Sequence, residues 1–193
     1  MPSLLGNLQN LEESVEVSGP LASSLSPQWE CPAPLRELAL LIDRARVGRR
    51  SIFLFGNGGS SAVCMHVAND LICRLGVNAQ SLTEIATVTA LSNDHGYREV
   101  YARQLAAKMQ RDDVAIAVSS SGESENIVAA INLVKRAGGT VVTLTGMSPT
   151  NQCRALGDLN LYLPFGDYGS LEVGHLALLH AGVDAAVHWS NAS

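Results

Sequence analysis

The sequence predicts an α/β fold with a doubly wound, five-stranded parallel sheet flanked by helices. From residue 51 onward, short apolar runs alternate with longer segments in which apolar residues recur at helical spacing. Parallel strands need crossover connections, and the intervening helices supply them. The chain has 193 residues, 47% of them hydrophobic and 16% charged. This composition suits one well-buried core, which we assign to a sheet domain at 35–193.

Two helical patterns precede the sheet. Apolar residues at helical spacing from Leu4 to Val15 predict an N-terminal amphipathic helix. Glycine and several prolines then interrupt the periodicity as far as Pro34, and a second helix is predicted from Leu35 to Ala45. We expect 1–34 to form a helical extension and a Pro-rich loop that make oligomer contacts.

The elements of the sheet domain follow in order. The predicted strands are 52–55, 79–82, 114–118, 140–144 and 159–163, and the predicted helices are 61–75, 85–92, 99–108, 124–137 and 171–189. Ligands of such sheets bind beyond the carboxyl ends of the strands. The loops that follow the strands are therefore the expected place for a functional site.

Charge and cysteine content exclude several classes of protein. The net charge is -5 and the 13 basic residues are scattered, which argues against a nucleic-acid-binding surface. The four cysteines form neither a CxxC pair nor a dense disulfide pattern, so we expect reduced thiols. No signal peptide and no apolar run of membrane-spanning length is evident. These features predict a cytoplasmic protein with no membrane or nucleic-acid partner.

The first strand is followed by a glycine-rich loop, GNGGSS at 56–61, and then at once by a helix. Free amide groups beside a helix N-terminus suit an anion or a sugar. The loop is not a Walker loop, because no Lys-Ser/Thr follows, and it lacks the last glycine of a dinucleotide fingerprint. A simple tight turn is the alternative interpretation.

A serine-rich loop, SSSGES at 119–124, follows the third strand and brings four hydroxyls to the start of a helix. Helix capping needs one or two of them. A phosphate would use them all, since it accepts several hydrogen bonds at once. Because no lysine or arginine stands nearby, we expect neutral donors and the helix dipole to hold a small phosphorylated metabolite.

Histidine and carboxylate residues form a second group of candidates. His66 and Asp70 are four residues apart on one predicted helix, so they share a face on which they could bind one ion, a surface pair being the alternative. His180 stands in an apolar helical stretch, where an unpaired imidazole is costly, which favours a role as ligand or acid.

Several neighbouring residues receive a structural interpretation. We interpret His175 and His188 as core histidines, and Cys64 and Met65 as packing residues beside His66. His95 faces either the pocket or water.

The order of the two loops, GNGGS and then SSSGES, resembles the sugar isomerase (SIS) domain family. Further residues resemble its phosphoheptose isomerases: His66 and Asp70, the turn at 93–97, and the spacing of Glu172, His175 and His180. The resemblance implies a flavodoxin-like strand order and conversion of sedoheptulose 7-phosphate to D-glycero-D-manno-heptose 7-phosphate, or a close heptose 7-phosphate, by enediol proton transfer. It also implies a homotetramer with active sites near subunit interfaces, and a divalent metal, zinc.

The resemblance also implies roles for individual residues. The implied metal ligands are His66, Asp70, Glu172 and His180, of which Asp70 and His180 are also catalytic. The implied substrate-binding residues are Asn57, Gly58, Gly59, Ser60, Asn93, Asp94, Ser119, Ser120, Ser121, Ser124 and Glu172.

Two ligand positions differ from the family pattern, which has glutamate at the position of Asp70 and glutamine at that of Glu172. The spacing of Glu172 and His180 adds a geometric constraint, since eight residues span roughly 12 Å of helix. We therefore expect an irregular first helical turn, or a neighbouring subunit, to help complete the metal site.

Two other functions remain open at this stage. One is a non-catalytic SIS protein that regulates or binds phosphosugars, against which the presence of Asp70 and His180 argues. The other is an isomerase or lyase for a different phosphosugar.

Overall fold

Seven helices and six strands make up the part of the chain that the computed structural model describes, residues 16–18 and 33–192. In chain order the elements are β1 (Glu16–Ser18), α1 (Ala33–Val47), β2 (Ser51–Gly56), α2 (Gly59–Leu75), β3 (Asn78–Ser81), α3 (Ile85–His95), a 3₁₀ turn (Tyr97–Glu99), α4 (Val100–Lys108), β4 (Val114–Ser119), α5 (Glu125–Ala137), β5 (Thr140–Thr145), α6 (Gln152–Leu156), β6 (Leu159–Tyr162) and α7 (Tyr168–Ala192).

The strands form one sheet in the order β1-β6-β5-β4-β2-β3. The five strands from β2 to β6 are parallel, so the predicted fold class and the flavodoxin-like order are confirmed. The strand order reverses between β2 and β4, which are direct neighbours, with Gly56 opposite Val118. This pairing places the two predicted ligand loops side by side at the carboxyl edge of the sheet.

Side chains of the central strands alternate between two buried clusters, one on each face of the sheet. Ile52 and Leu54 face the cluster that includes α1, α2 and α7. Phe53 and Phe55 face the smaller cluster that includes α4 and α5. Covering both faces explains why β2 and β4 are almost continuously apolar in sequence.

Helix α7 packs closely against α1 and α2 on the larger side of the sheet. Gly182 makes the approach to α1 possible, because a Cβ at this position would lie 2.4 Å from the Cδ2 of Leu38. The packing of α2 against α7 brings together residues that are more than 100 positions apart in sequence.

Three local features differ from the sequence prediction. Residues Glu16–Ser18 form β1, which pairs antiparallel with β6 and adds a sixth strand. Helix α6 was not predicted, and it begins after Asn151, whose side chain accepts a hydrogen bond from the Arg154 amide at 2.9 Å. Helix α3 continues to His95 instead of ending at Ser92, so the expected turn at 93–97 is in part helical.

The end of α3 has a clear physical cause. Gly96 has a φ of 84°, and its amide donates to the Ser92 carbonyl oxygen at 3.0 Å. The positive φ favours glycine, so the helix terminates where the sequence allows it.

The predicted helix at 4–15 lies outside the described residues, as does the segment 19–32. Within 16–18 and 33–192, no helix is both long and apolar enough to cross a membrane.

Candidate active site

The loops after β2 and β4 and the start of α7 surround a cavity of about 140 Å³ at the carboxyl edge of the sheet. The lining residues are Asn57, Ser60, Val118, Ser119, Ser120, Ser121, Ser124, Tyr168 and Glu172. We call this cavity the serine pocket. It brings together most of the substrate-binding residues that the sequence predicted, and none of the residues lining it is a lysine or an arginine.

The serine loop is shaped by its own backbone. Gly122 has a φ of 67°, and its amide donates to the carbonyl oxygen of Ser119 at 3.1 Å and to its Oγ at 3.2 Å. The carboxylate of Glu123 accepts hydrogen bonds from Gln152 at the start of α6. The acidic side chain of the loop is thus tied to α6 rather than lining the serine pocket.

Two hydroxyls of this loop are not used for capping. Ser124 is the N-cap residue of α5, yet its side chain makes no capping hydrogen bond. Ser120 is 5% exposed, and its Oγ has no hydrogen-bond partner in the described part of the chain. A buried hydroxyl without a partner is costly. Pure helix capping therefore does not account for this loop, and a ligand that accepts hydrogen bonds does.

Glu172 forms the opposite wall of the serine pocket. A Cβ built on Gly59 would lie 2.2 Å from the Glu172 Cδ, so only glycine at this position lets the carboxylate approach the first turn of α2. A helix N-terminus stabilises a negative charge. The pocket thus offers hydroxyl donors on one side and a carboxylate acceptor on the other.

His66, Asp70 and His180 form a cluster on the packed pair of helices α2 and α7. The Nε2 atoms of the two histidines lie 3.1 Å apart, and Asp70 Oδ2 lies 3.2 Å from His180 Nδ1 and 3.7 Å from His66 Nε2. The candidate ligand atoms of the three residues all lie within 4.8 Å of one another, as a metal site requires. His180 comes from a second helix, so His66 and Asp70 are more than an isolated surface pair.

Glu172 does not belong to this cluster. Helix α7 begins at Tyr168 and runs without a break past His180, so the irregular first turn expected from the sequence is not present. At 1.5 Å per residue, Glu172 lies about two helical turns from His180. Its role as a metal ligand stays a prediction.

Other predicted site residues lie outside the serine pocket. Asn93 and Asp94 are exposed at the end of α3, where the Asn93 side-chain amide donates to Asp94 Oδ1 at 2.8 Å. Gly58 is exposed before α2, and His95 is exposed to solvent. The predicted substrate contacts of Asn93, Asp94 and Gly58 stay predictions.

All four packing assignments can be compared with burial. His175 is fully buried, which confirms its place in the core, and Cys64 is also fully buried. His188 is exposed, so its assignment to the core was wrong, because it lies on a face of α7 that the other helices do not cover. Met65, next to His66, is 56% exposed and was likewise wrongly assigned to packing.

Burial changes the protonation of His175. Its Nε2 lies 3.3 Å from the Thr145 carbonyl oxygen, and its Nδ1 has no hydrogen-bond partner within the described residues. Desolvation lowers the pKa of His175 to about 4. The side chain is therefore neutral at physiological pH and donates through Nε2.

Three residues that the sequence did not single out, and Tyr97 from the turn at 93–97, also shape the serine pocket. Tyr168 lines it, Tyr97 and Asn126 form hydrogen bonds with Asn57, and the Tyr101 hydroxyl lies 3.2 Å from the Asn57 Oδ1. These contacts join α3–α4 and α5 to the loop after β2. No local sequence pattern predicts these contacts, because they depend on the tertiary arrangement of segments that are distant in sequence.

The sheet order and the serine-loop pocket define a class of protein. The model of the SIS domain family matches residues 29–146 of the chain, so the chain belongs to that family. It is 32% identical to the phosphoheptose isomerase of Trichlorobacter lovleyi over 158 residues, which are 78% of this chain and 80% of the relative. It is 37% identical to that of Burkholderia pseudomallei over 135 residues, 67% of this chain and 68% of the relative.

Solved structures agree with these relatives. The phosphoheptose isomerase of Neisseria gonorrhoeae superposes with a TM-score of 0.80 and 25% identity, covering 95% of this chain and 93% of that one. The chain is thus grouped with the phosphoheptose isomerases, which are sugar phosphate isomerases. This outcome supports an enzyme over the non-catalytic alternative.

Proposed function

We propose that this chain converts sedoheptulose 7-phosphate to D-glycero-D-manno-heptose 7-phosphate, or a close heptose 7-phosphate. The observation that carries this proposal is the serine pocket, whose buried Ser120 hydroxyl has no hydrogen-bond partner among the described residues, together with the cluster of His66, Asp70 and His180 on α2 and α7, the two helices that also contribute to the pocket wall. The first feature suits a phosphate, and the second suits proton transfer.

The hydroxyls of the serine loop bind the phosphate of the substrate. Ser119, Ser120, Ser121 and Ser124 supply neutral donors, and the N-terminus of α5 adds a favourable dipole. Glu172 cannot donate to a phosphate when ionised, but its oxygens accept hydrogen bonds from sugar hydroxyls. The pocket therefore orients the phosphate and the sugar toward different walls.

Asp70 and His180 move the protons of the reaction. Asp70 removes a proton from C1 of the ketose while the C2 carbonyl oxygen gains one, which gives the enediol. A proton is then delivered to C2 and the O1 hydroxyl loses its own, which leaves the aldehyde at C1. His180 serves the oxygen atoms because each of its ring nitrogens can donate or accept.

The donors of His66, Asp70 and His180 also fit a divalent metal, and we propose zinc. Two imidazoles and one carboxylate are common zinc ligands. The ion would polarise the sugar carbonyl as a Lewis acid. The second oxygen of Asp70 remains available to act as the base.

We propose a cytoplasmic homotetramer in which a neighbouring subunit completes the metal site. His66 is about half exposed, and the nearby Met65 and Val173 are 56% and 43% exposed, although both are apolar. Exposed apolar residues beside a functional cluster are typical of an interface. The segment 1–34 is proposed to contribute further oligomer contacts.

The decisive experiment is a direct assay of turnover. Purified protein is incubated with sedoheptulose 7-phosphate, with and without a chelator, and the aldoheptose product is followed by chromatography. We expect product in the untreated sample, a strong loss after chelation, and recovery when zinc is restored. If protein that was not exposed to chelator and was supplied with zinc formed no aldoheptose phosphate, the proposed function would be contradicted.

Removing one phosphate donor should weaken substrate binding. We expect Ser121→Ala and Ser124→Ala each to weaken the binding free energy of sedoheptulose 7-phosphate by roughly 1 to 3 kcal/mol, because each loses a hydrogen bond to a charged group. Titration calorimetry measures the effect. Ser190→Ala is the control, since its hydroxyl donates to the Val187 carbonyl oxygen near the end of α7. Affinities equal to that of the control would remove the serines from the phosphate site.

A further inference from the structure

The side-chain amide of Asn57 is in contact with three other side chains at the edge of the serine pocket. Its Oδ1 accepts hydrogen bonds from the Tyr97 hydroxyl at 2.9 Å and the Asn126 Nδ2 at 2.9 Å, and the Tyr101 hydroxyl oxygen lies 3.2 Å from it. Its Nδ2 donates to the Asn126 Oδ1 at 3.0 Å. We call this group the Asn57 clamp.

A backbone amide fixes which atom of each side-chain amide is oxygen. The Ile127 N–H, which can only donate, lies 3.0 Å from the Asn126 Oδ1. That contact assigns the oxygen of Asn126, so its Nδ2 must be the atom that faces Asn57. The Asn57 atom facing this Nδ2 is then an oxygen. The orientation of Asn57 therefore follows from the first turn of α5.

Of the two tyrosines next to Asn57, Tyr97 strengthens the same orientation. The Tyr101 hydroxyl donates its one hydrogen to the Gly56 carbonyl oxygen at 2.5 Å, so it is anchored to the loop that carries Asn57. The Tyr97 hydroxyl reaches Asn57 from the 3₁₀ turn after α3. A carbonyl oxygen has two lone pairs, and the Tyr97 hydroxyl and the Asn126 Nδ2 occupy both of those on the Asn57 Oδ1. The oxygen of Asn57 is thus closed to any ligand.

One of the two hydrogens on the Asn57 Nδ2 has no acceptor among the described residues. An amide nitrogen carries two hydrogens, and in the described part of the chain the structure gives Nδ2 one acceptor, Asn126 Oδ1. Asn57 lines the serine pocket, next to the hydroxyls of Ser119 and Ser120. The remaining N–H is the group that Asn57 can offer to a bound molecule.

We propose that Tyr97 and Asn126 are positioning residues that fix Asn57 as an N–H donor to an oxygen atom of the ligand in the serine pocket. The identity of that ligand, a sugar phosphate, rests on the proposed function, whereas the clamp itself does not. Pre-orienting the amide removes the cost of ordering it when the ligand binds. It also makes the pocket selective for an acceptor atom at this point.

Two variants test the proposal. Tyr97→Phe removes one donor from an exposed side chain and should not affect folding, whereas Asn126→Ala removes both bonds of the paired amides. We expect the Kd for sedoheptulose 7-phosphate to rise about threefold to fivefold in the first and about tenfold or more in the second, with kcat much less affected. Tyr162→Phe is the matched control, because its hydroxyl donates to the Met147 carbonyl oxygen two strands away from β4.

A spectroscopic measurement separates the clamp from the proposed function. The side-chain amide signals of Asn57 in a ¹⁵N-correlation spectrum, identified by their loss in Asn57→Ala, should shift in both clamp variants and not in Tyr162→Phe. The same signals should shift when inorganic phosphate or sedoheptulose 7-phosphate is added to the wild-type chain. If the protein binds phosphate but not the sugar phosphate, the proposed substrate is wrong and the clamp stands. Asn57 signals that respond neither to the variants nor to either ligand would overturn the clamp.

Discussion

His180→Asn is expected to lower kcat for heptose phosphate isomerisation by about a thousandfold, with the Kd for the sugar phosphate changed only a few-fold. General acid–base catalysis contributes about 10² to 10⁴ in rate, and His180 stands within 3.2 Å of Asp70 and 3.1 Å of His66. The phosphate-binding hydroxyls lie on the loop after β4, beside the first turns of α7, whereas His180 stands near the middle of that helix. Turnover should therefore fail while binding persists.

Steady-state kinetics and titration calorimetry on the same preparation measure the two quantities. His188→Asn is the matched control, because it makes the same exchange on an exposed position of the same helix. Bound zinc per chain is a second measurement, and it should fall in His180→Asn but not in the control. A kcat within tenfold of the wild-type value would remove His180 from the reaction.

The second large effect concerns stability in acid. The pKa of His175 is about 4 in the folded chain and about 6.5 when unfolded, so the unfolded state binds more protons between these values. The stability that His175 contributes is complete above pH 6.5 and is lost as the pH falls toward 4. We expect this one residue to account for a loss of about 2 kcal/mol between pH 7.5 and pH 5, and about 3 kcal/mol over the whole window.

Replacement of His175 by glutamine isolates this effect. Glutamine does not titrate and keeps an N–H donor that can bond to the Thr145 carbonyl oxygen. Urea unfolding of both proteins at pH 7.5 and pH 5 should show a smaller loss of stability in His175→Gln. The quantity compared is the change in unfolding free energy between pH 7.5 and pH 5 for each protein. A variant that is less stable at both pH values therefore does not affect the comparison. Equal losses in both proteins would show that His175 is not the acid-sensitive group.

Local pattern was sufficient to predict the sheet and the pocket loops. The strand at 52–55 is apolar at every position and is followed by Gly56, and a serine-rich turn follows the strand at 114–118. Such signals survive because both faces of these strands are buried and the turns require small residues. The short elements β1 and α6 carry too few residues for a period to appear. They depend on contacts with β6 and with Glu123 that only the folded chain supplies.

The residues of the candidate site also fall into two groups, those that a local sequence pattern predicted and those that depend on tertiary contacts. The i, i+4 spacing of His66 and Asp70 predicted their shared face, but the approach of His180 depends on how α7 crosses α2. Helical spacing also correctly predicted that Glu172 and His180 are far apart along the helix. It could not distinguish the buried His175 from the exposed His188, since both stand in apolar surroundings in the sequence. The partners of Asn57 come from three separate segments and left no local signal.

The short strand β1 reduces the tendency of this protein to aggregate through the edge of its sheet. Without it, β6 would present a row of unpaired backbone groups, which other chains can extend into aggregates. β1 occupies that row over three residues, and the Glu16 carboxylate accepts a hydrogen bond from Arg154 at 3.0 Å, while the same guanidinium lies 4.3 Å from the centre of the Tyr162 ring. A segment far from the chemistry thus shields the free edge of the sheet.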